Sequence, residues 1–409
     1  MEENTPSSLP EKALNLSTFF CLYIAQAIPM SFFSTAIQVL MRQADYSLSS
    51  IALLQLIKLP WILKFLWAPI IDRQCITMKD YKRCIITSEI VYALLILSVG
   101  LLDIKTDLYL IIGLVFLSLI ASATQDIGTD TLAVLSFGKR DKSLVNSMQS
   151  MGSFGGTLIG GGVLLLVLQR YGWQSVMPCL GVFVLLALIP LLSNKRMNIA
   201  AKEPAKRAQL TDFIWFFARR SIWKQIGFLL LYYASIIGIL SVLRSYMVDL
   251  GYSMKEIGLL IGIVGTGAAF VSSFLAGLLV RKIGRYRSRI LFAVFILLTT
   301  IYFMCISWTE PSLPMLSVGI VLLWSAYGMA TIVVYTTAMD CVRKGCEGTD
   351  FTIQTVLTHL SGLLMAFLSG VVADRVGYHG LFIFEVVLAF VSLLYIFCFF
   401  KKESQPTYS

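Results

Sequence analysis

Tyr46-Ser47-Leu48-Ser49-Ser50-Ile51-Ala52-Leu53-Leu54 returns 206 residues later as Tyr252-Ser253-Met254-Lys255-Glu256-Ile257-Gly258-Leu259-Leu260, with five of nine positions identical. A second pair agrees within one residue of that register: Arg170-Tyr171-Gly172-Trp173 against Arg375-Val376-Gly377-Tyr378, at an offset of 205. Self-similarity at a fixed offset marks a duplicated structural unit. Both pairs sit at the edges of long apolar runs. Working outward from them, and requiring the roughly 17–25 residues that cross a bilayer, twelve spans can be placed. They lie near Leu16–Leu40, Ser49–Pro69, Cys84–Leu102, Leu108–Phe137, Val145–Leu168 and Ser175–Leu192. After a polar stretch come Trp223–Val248, Ile257–Val280, Ile290–Trp308, Pro314–Met339, Thr352–Val372 and Gly380–Phe400. The expectation is an all-α integral membrane protein of twelve transmembrane helices. It has two six-helix halves, residues 1–193 and 222–409, joined by a cytoplasmic linker at 194–221.

Composition agrees. The chain is 57% hydrophobic and 14% charged, against about 25% charged residues in soluble domains, which excludes an ordinary soluble enzyme or a disordered tail protein. The net charge of +10 is sorted by side. With the N-terminus inside, the outer side holds only Arg42, Lys105, Arg170, Arg244, Lys255 and Arg375. Lys58 and Lys64 fall within a span, and every other Lys and Arg is cytoplasmic. The positive-inside rule therefore places both termini in the cytoplasm, and no nucleic-acid partner is needed to explain the charge. The polar first fifteen residues, with no cleavage-site pattern after the first span, read as the lead-in to a retained helix. Within the linker, Thr211-Asp212-Phe213-Ile214-Trp215-Phe216-Phe217-Ala218-Arg219-Arg220 suits a short helix on the inner leaflet. Eight cysteines without a CxxC pair and two histidines, His359 and His379, supply neither a metal site nor a catalytic triad. No cofactor is expected, and a monomer is.

Ionisable residues inside a membrane are costly, and so are functional candidates. The fourth span has the densest set: Gln125, Asp126 and Asp130, flanked by Thr124, Thr129 and Thr131. Asp126 and Asp130 are four apart, on one helical face; such a pair can take and release a proton, or be bonded structurally to neighbouring groups. Lys58, some 13–14 Å below the outer edge of a ~30 Å core, reads as an anion contact for substrate or as a charge partner of Asp126 or Asp130. Lys64, nearer the inner face, reads as a snorkelling lysine. Gln26 and Tyr23 in the first span and Tyr232 in the seventh are candidates to line a cavity. Glu89 and Glu385 read as wet residues near span ends. The glycines along the fifth and eighth spans read as close-packing surfaces. Asp72 and Arg73 after the second span, with Arg281 and Arg285 after the eighth, read as cytoplasmic gating residues that bond helix ends.

Two parallel six-span repeats with a site at mid-membrane between them are the architecture of the major facilitator transporters. The run Leu59-Pro60-Trp61-Ile62-Leu63-Lys64-Phe65-Leu66-Trp67-Ala68-Pro69-Ile70-Ile71-Asp72-Arg73 resembles the second-span signature of AmpG-like permeases in that superfamily, a branch that also holds acetyl-CoA transporters. Ala123-Thr124-Gln125-Asp126-Ile127-Gly128-Thr129-Asp130 resembles the same group's fourth-span motif. The resemblance implies uptake of a small-molecule substrate across the bacterial inner membrane, proton-coupled, with anhydro-muropeptides as the first substrate class. The chain departs from the muropeptide permeases in lacking two extra spans. It departs also in the apolar Leu132-Ala133-Val134 after Thr131, and in Tyr232-Tyr233-Ala234-Ser235 without Lys or Asp. The last two are closer to ferric-siderophore importers of the RhtX/FptX type, which stand as the alternative. A membrane-embedded transferase would need its polar residues clustered at one membrane face, whereas here they run along the fourth span.

Overall fold

The computed structural model describes residues 9–43, 54–103, 106–195, 197, 199, 208–209, 211–309 and 311–400. The first copy of the opening repeat (up to residue 53), Lys105, most of the linker and Lys401–Lys402 lie outside the described residues. The helices are α1 (Leu9–Gln43), α2 (Leu59–Leu63), α3 (Ala68–Gln74), α4 (Met78–Val99), α5 (Leu108–Ser136), α6 (Lys142–Leu158), α7 (Leu164–Tyr171), α8 (Trp173–Leu186) and α9 (Ile189–Ser193). They continue with α10 (Asp212–Ala218), α11 (Ile222–Leu231), α12 (Ala234–Asp249), α13 (Met254–Ile257), α14 (Thr266–Ile283), α15 (Arg285–Ile306), α16 (Leu313–Asp340) and α17 (Glu347–Phe399). Among the described residues, nine helical stretches are long and apolar enough to cross a membrane.

Two expected spans are not among those nine, for different reasons. Between residues 54 and 74 the chain is broken into 3-10 turns (Leu54–Lys58, Lys64–Leu66) and the short helices α2 and α3, each with a proline in its first turn. Proline removes a backbone donor and is tolerated at a helix start, so Pro60 and Pro69 mark where helix begins afresh. Helix α4 is unbroken over 22 residues but carries Lys79, Asp80, Lys82, Arg83 and Glu89. Its start is fixed by a capping box in which Thr77 and Asp80 satisfy each other's backbone N–H groups.

Glycine ends several helices in one conformation. Gly172 (φ 79°, ψ 172°), Gly284 (φ 85°, ψ 167°) and Gly377 (φ 71°, ψ 175°) occupy a region nearly closed to residues with a Cβ. Gly172 and Gly377 are the paired glycines of the second sequence register, so the repeated residues adopt the same turn. At Gly377 the 53-residue run α17 leaves helical geometry and resumes as a second helix.

Two compact units make up the chain: Met1–Trp215 with Val342–Val356, and Phe216–Cys341 with Leu357–Ser409. In the first, α1 lies against α6, and α4 against α5 and α8. Phe32 and Phe33 pack on Trp173, over a core that includes Tyr92, Leu119 and Val176. In the second, α14 and α15 pack on α16, and Tyr246, Phe303 and Phe382 form an aromatic centre. In both units long apolar side chains such as Leu166, Leu186, Leu275 and Phe367 face outward, while polar side chains collect inside. That is the sorting expected when the surrounding solvent is lipid.

The contact of α1 with α6, and with the π-helical turn Ile159–Val163 that follows it, depends on small residues. A Cβ on Gly152, Gly156 or Gly160 would come within 2.7 Å of Tyr23 Cβ, 2.3 Å of Ala27 Cβ and 2.2 Å of the Ile28 carbonyl oxygen respectively. The eighth-span glycines behave differently. Gly265 packs on the Trp324 ring, but a Cβ on Gly258, Gly262 or Gly267 would meet nothing within 4 Å. Among the described residues the eighth-span glycines thus make one close contact, at Gly265.

Candidate functional site

Helix α5 brings Ser118, Ser122, Gln125, Asp126, Thr129 and Asp130 onto one buried stripe of the first unit. Asp126 and Asp130 are both almost wholly inaccessible and lie one helical turn apart on the same stripe. The cation beside them is Lys64, whose Nζ is 2.5 Å from Asp126 Oδ2. Lys64 is 2% exposed and lies over the Trp61 ring at 5.1 Å. This corrects the reading of Lys64 as a snorkelling residue and of Lys58 as the partner: Lys58 is half-buried and makes no ion pair among the described residues. The cause is local. A 3-10 turn advances each residue by about 120° instead of 100°, so positions projected along a continuous α-helix arrive on the wrong face.

Two uncharged donors hold Asp130. Tyr23 Oη donates to Asp130 Oδ1 at 2.7 Å, and Gln149 Nε2 of α6 donates to the same oxygen at 3.1 Å. Gln26 Nε2 donates to Gln125 Oε1, and Trp67 Nε1 donates to Thr124 Oγ1 at 3.2 Å. Residues from α1, the broken 54–74 segment, α5 and α6 thus converge, and the sequence-predicted Tyr23, Gln26, Gln125, Asp126 and Asp130 are brought together. Gln149 was not anticipated. Its signal is the polar stripe Asn146, Gln149, Ser150 at helical spacing, which the neighbouring glycines mask.

Tyr232 belongs to the second unit. It is buried in the apolar core of the second unit, stacked on Phe228, with its hydroxyl donating to the Arg289 carbonyl at 2.9 Å. Glu89 and Glu385 are also not wet: both are fully buried, and Glu385 accepts a bond from Ser369 at 2.7 Å. A carboxyl near a span end stays dry when a neighbouring helix covers it, as α5 covers α4.

A second polar cluster surrounds Asp72, which is 1% exposed. Its Oδ1 accepts from Gly348 N at 3.1 Å, and its Oδ2 from Thr349 N at 2.6 Å and Thr349 Oγ1 at 2.8 Å. These are free N–H groups at the start of α17, where a carboxylate also meets the positive end of the helix dipole. Arg343 lies just before that start. Its guanidinium holds Asp350 through two bonds of 2.7 and 2.9 Å and reaches Asp212 of α10 at 3.2 Å. Of the other predicted gating residues, Arg73 is exposed, Arg285 pairs with Asp340 at 2.9 Å, and Arg281 is half-buried. Arg343 was missed because a short polar loop carries no periodic signal, and Thr349 and Asp350 because they lie in the first turn of α17, ahead of the apolar run that marks the span.

The chain is 24% identical to an uncharacterized protein of Haemophilus influenzae over 98% of its own length and 99% of that protein's. It is 20% identical to the anhydromuropeptide permease of Escherichia coli K12, over 91% of this chain and 77% of the permease. It is 21% identical to the putative transporter AmpG 4 of Rickettsia felis, over 96% and 98%. In three dimensions it is similar to a bacterial homologue of the iron transporter ferroportin, crystallised in an outward-facing state. That match has a TM-score of 0.71 and 16% identity over 95% of this chain and 98% of that one, a likeness of fold. The Major Facilitator Superfamily description matches residues 17–364, and the chain belongs to that superfamily.

Proposed function

We propose that the protein is a proton-coupled secondary transporter that imports a mid-sized organic solute, muropeptide-like first, across the bacterial inner membrane by alternating access. The observation that carries this reading is the buried group of Lys64, Asp126 and Asp130. Two carboxylates and one ammonium leave one negative charge unbalanced in a low-dielectric interior, where an uncompensated charge is costly. One proton on the carboxylate pair balances it. A site that needs a proton to be neutral can bind and release one as its surroundings change, which is what coupling to a proton gradient requires. The similarity to the anhydromuropeptide permease along most of both chains supports the substrate class.

In this reading twelve helices cross the membrane in two six-helix halves, 1–193 and 222–409, with both termini cytoplasmic and a monomer as the working unit. The nine long apolar stretches, the break of α17 at Gly377, the charged α4 and the broken 54–74 segment are the observations that support the count. Asp72 serves as a cytoplasmic latch on the start of α17, and Arg343 steadies the loop before it.

The experiment is uptake of a labelled anhydro-muropeptide into proteoliposomes, with and without an inward proton gradient. Accumulation that depends on the gradient is expected. Folded protein that takes up nothing under either condition would remove the substrate assignment.

A further inference from the structure

Tyr23 and Gln149 come from different helices, yet both donate to one oxygen of Asp130. They are held in step by the contact between those helices. Gly152, three residues after Gln149 on α6, lies against Tyr23 itself: a Cβ there would fall 2.7 Å from Tyr23 Cβ and 3.0 Å from Ile24 N. The seam continues through Gly156 on Ala27 and Gly160 on Ile28. The α1–α6 pair therefore carries both donors as one body, and its register against α5 decides whether they reach Asp130.

We propose that Gln149 is a positioning residue that transmits the placement of α6 to the Asp130 carboxyl, and so sets how readily that carboxyl takes up its proton. The inference rests on the reading of Asp130 as a proton site. Its chemistry is one-sided. An amide N–H donating to a carboxylate oxygen stabilises the ionised form, so withdrawal of Gln149 favours the protonated form. A slide of the α1–α6 pair along α5 would change proton affinity without any new charge entering the site.

The described charged and titratable groups on the elements packed around Asp130 are these. Helix α1 contributes Tyr23, α5 itself contributes Asp126, and the 54–74 segment contributes Lys64. Helix α3 brings Asp72, already engaged with Gly348 and Thr349, and the exposed Arg73. On the α4 side of α5 lie Tyr81, Cys84, Glu89 and Tyr92, and the start of α17, against Thr131, brings Glu347 and the Asp350 that Arg343 holds. Gln149 is uncharged, so its replacement alters one hydrogen bond and no charge.

The experiment follows the protonated-carboxyl infrared band of the full chain in lipid nanodiscs across a pH titration, with Asp130→Asn used to assign the Asp130 contribution. Gln149→Leu is expected to move the midpoint of that contribution upward by about half to one pH unit, the equivalent of one hydrogen bond. Gln149→Asn, whose shorter amide cannot reach, should move it the same way and serves if the leucine variant does not fold. Thr157→Ala, which removes a hydroxyl bonded only within α6, should leave it in place. An Asp130 band whose midpoint is unmoved or lowered in the Gln149 variants overturns this proposal alone. Absence of any titrating Asp130 band in the wild type overturns it together with the proton-site reading.

Discussion

Asp72 accepts the backbone N–H groups of Gly348 and Thr349, which lie 276 and 277 residues later in the chain. Only a glycine permits that approach, because a Cβ on Gly348 would fall 2.2 Å from Thr131 Oγ1 and 3.0 Å from Asp72 Oδ1. Gly348→Ala should therefore loosen the contact. Cys346, two residues earlier, reports on it: burial and then the nearby Asp212 push its thiol up to about 12. At pH 8 roughly one thiol in ten thousand is then the reactive thiolate. Site-resolved alkylation at pH 8 should leave Cys346 unlabelled in the wild type and label it faster in Gly348→Ala and in Asp72→Asn.

Removing Lys64 strands a buried carboxylate. Lys64→Met should cost roughly 3–5 kcal/mol, the usual penalty for breaking one side of a buried ion pair. The double variant Lys64→Met/Asp126→Leu should recover much of that stability because the one carboxyl left, Asp130, keeps the proton and is neutral, while losing gradient-driven uptake. Thermal unfolding in detergent measures the first effect and proteoliposome uptake the second.

The α1–α6 seam is sensitive to single methyl groups. Gly156→Ala and Gly160→Ala place a Cβ 2.3 Å from Ala27 Cβ and 2.2 Å from the Ile28 carbonyl oxygen, so each should destabilise by about 1–3 kcal/mol, the range for overpacking. Gly162→Ala, whose Cβ meets nothing within 4 Å, should be near neutral on the same melting assay.

Tyr23 and Tyr232 separate site from core. Tyr23→Phe removes a donor to Asp130 and should change the pH dependence of uptake. Tyr232→Phe removes a bond to a backbone carbonyl in the second unit and should cost about 1 kcal/mol of stability with the pH profile unchanged.

How much of this was legible in the sequence depended on whether local geometry was regular. The α5 stripe was readable because α5 is an unbroken helix, where a four-residue spacing fixes a common face. The glycine turns at Gly172 and Gly377 were readable as a repeat because the conformation itself demands glycine. Lys64 was misplaced because two 3-10 turns and two prolines interrupt the segment that carries it. Glu89 and Glu385 were misplaced because chain position says nothing about which helix lies alongside. Gln149 was passed over because a neutral amide has no charge to make its burial costly, so only its contact with Asp130 gives it weight.

In the proposed mechanism Asp126 and Asp130 carry the proton that drives uptake. Its most direct test compares gradient-driven accumulation of labelled anhydro-muropeptide by wild-type, Asp126→Asn and Asp130→Asn proteins in the same proteoliposomes. Accumulation by the wild type and loss of the response to the proton gradient in both variants are expected. Variants that respond to the gradient as fully as the wild type would contradict it.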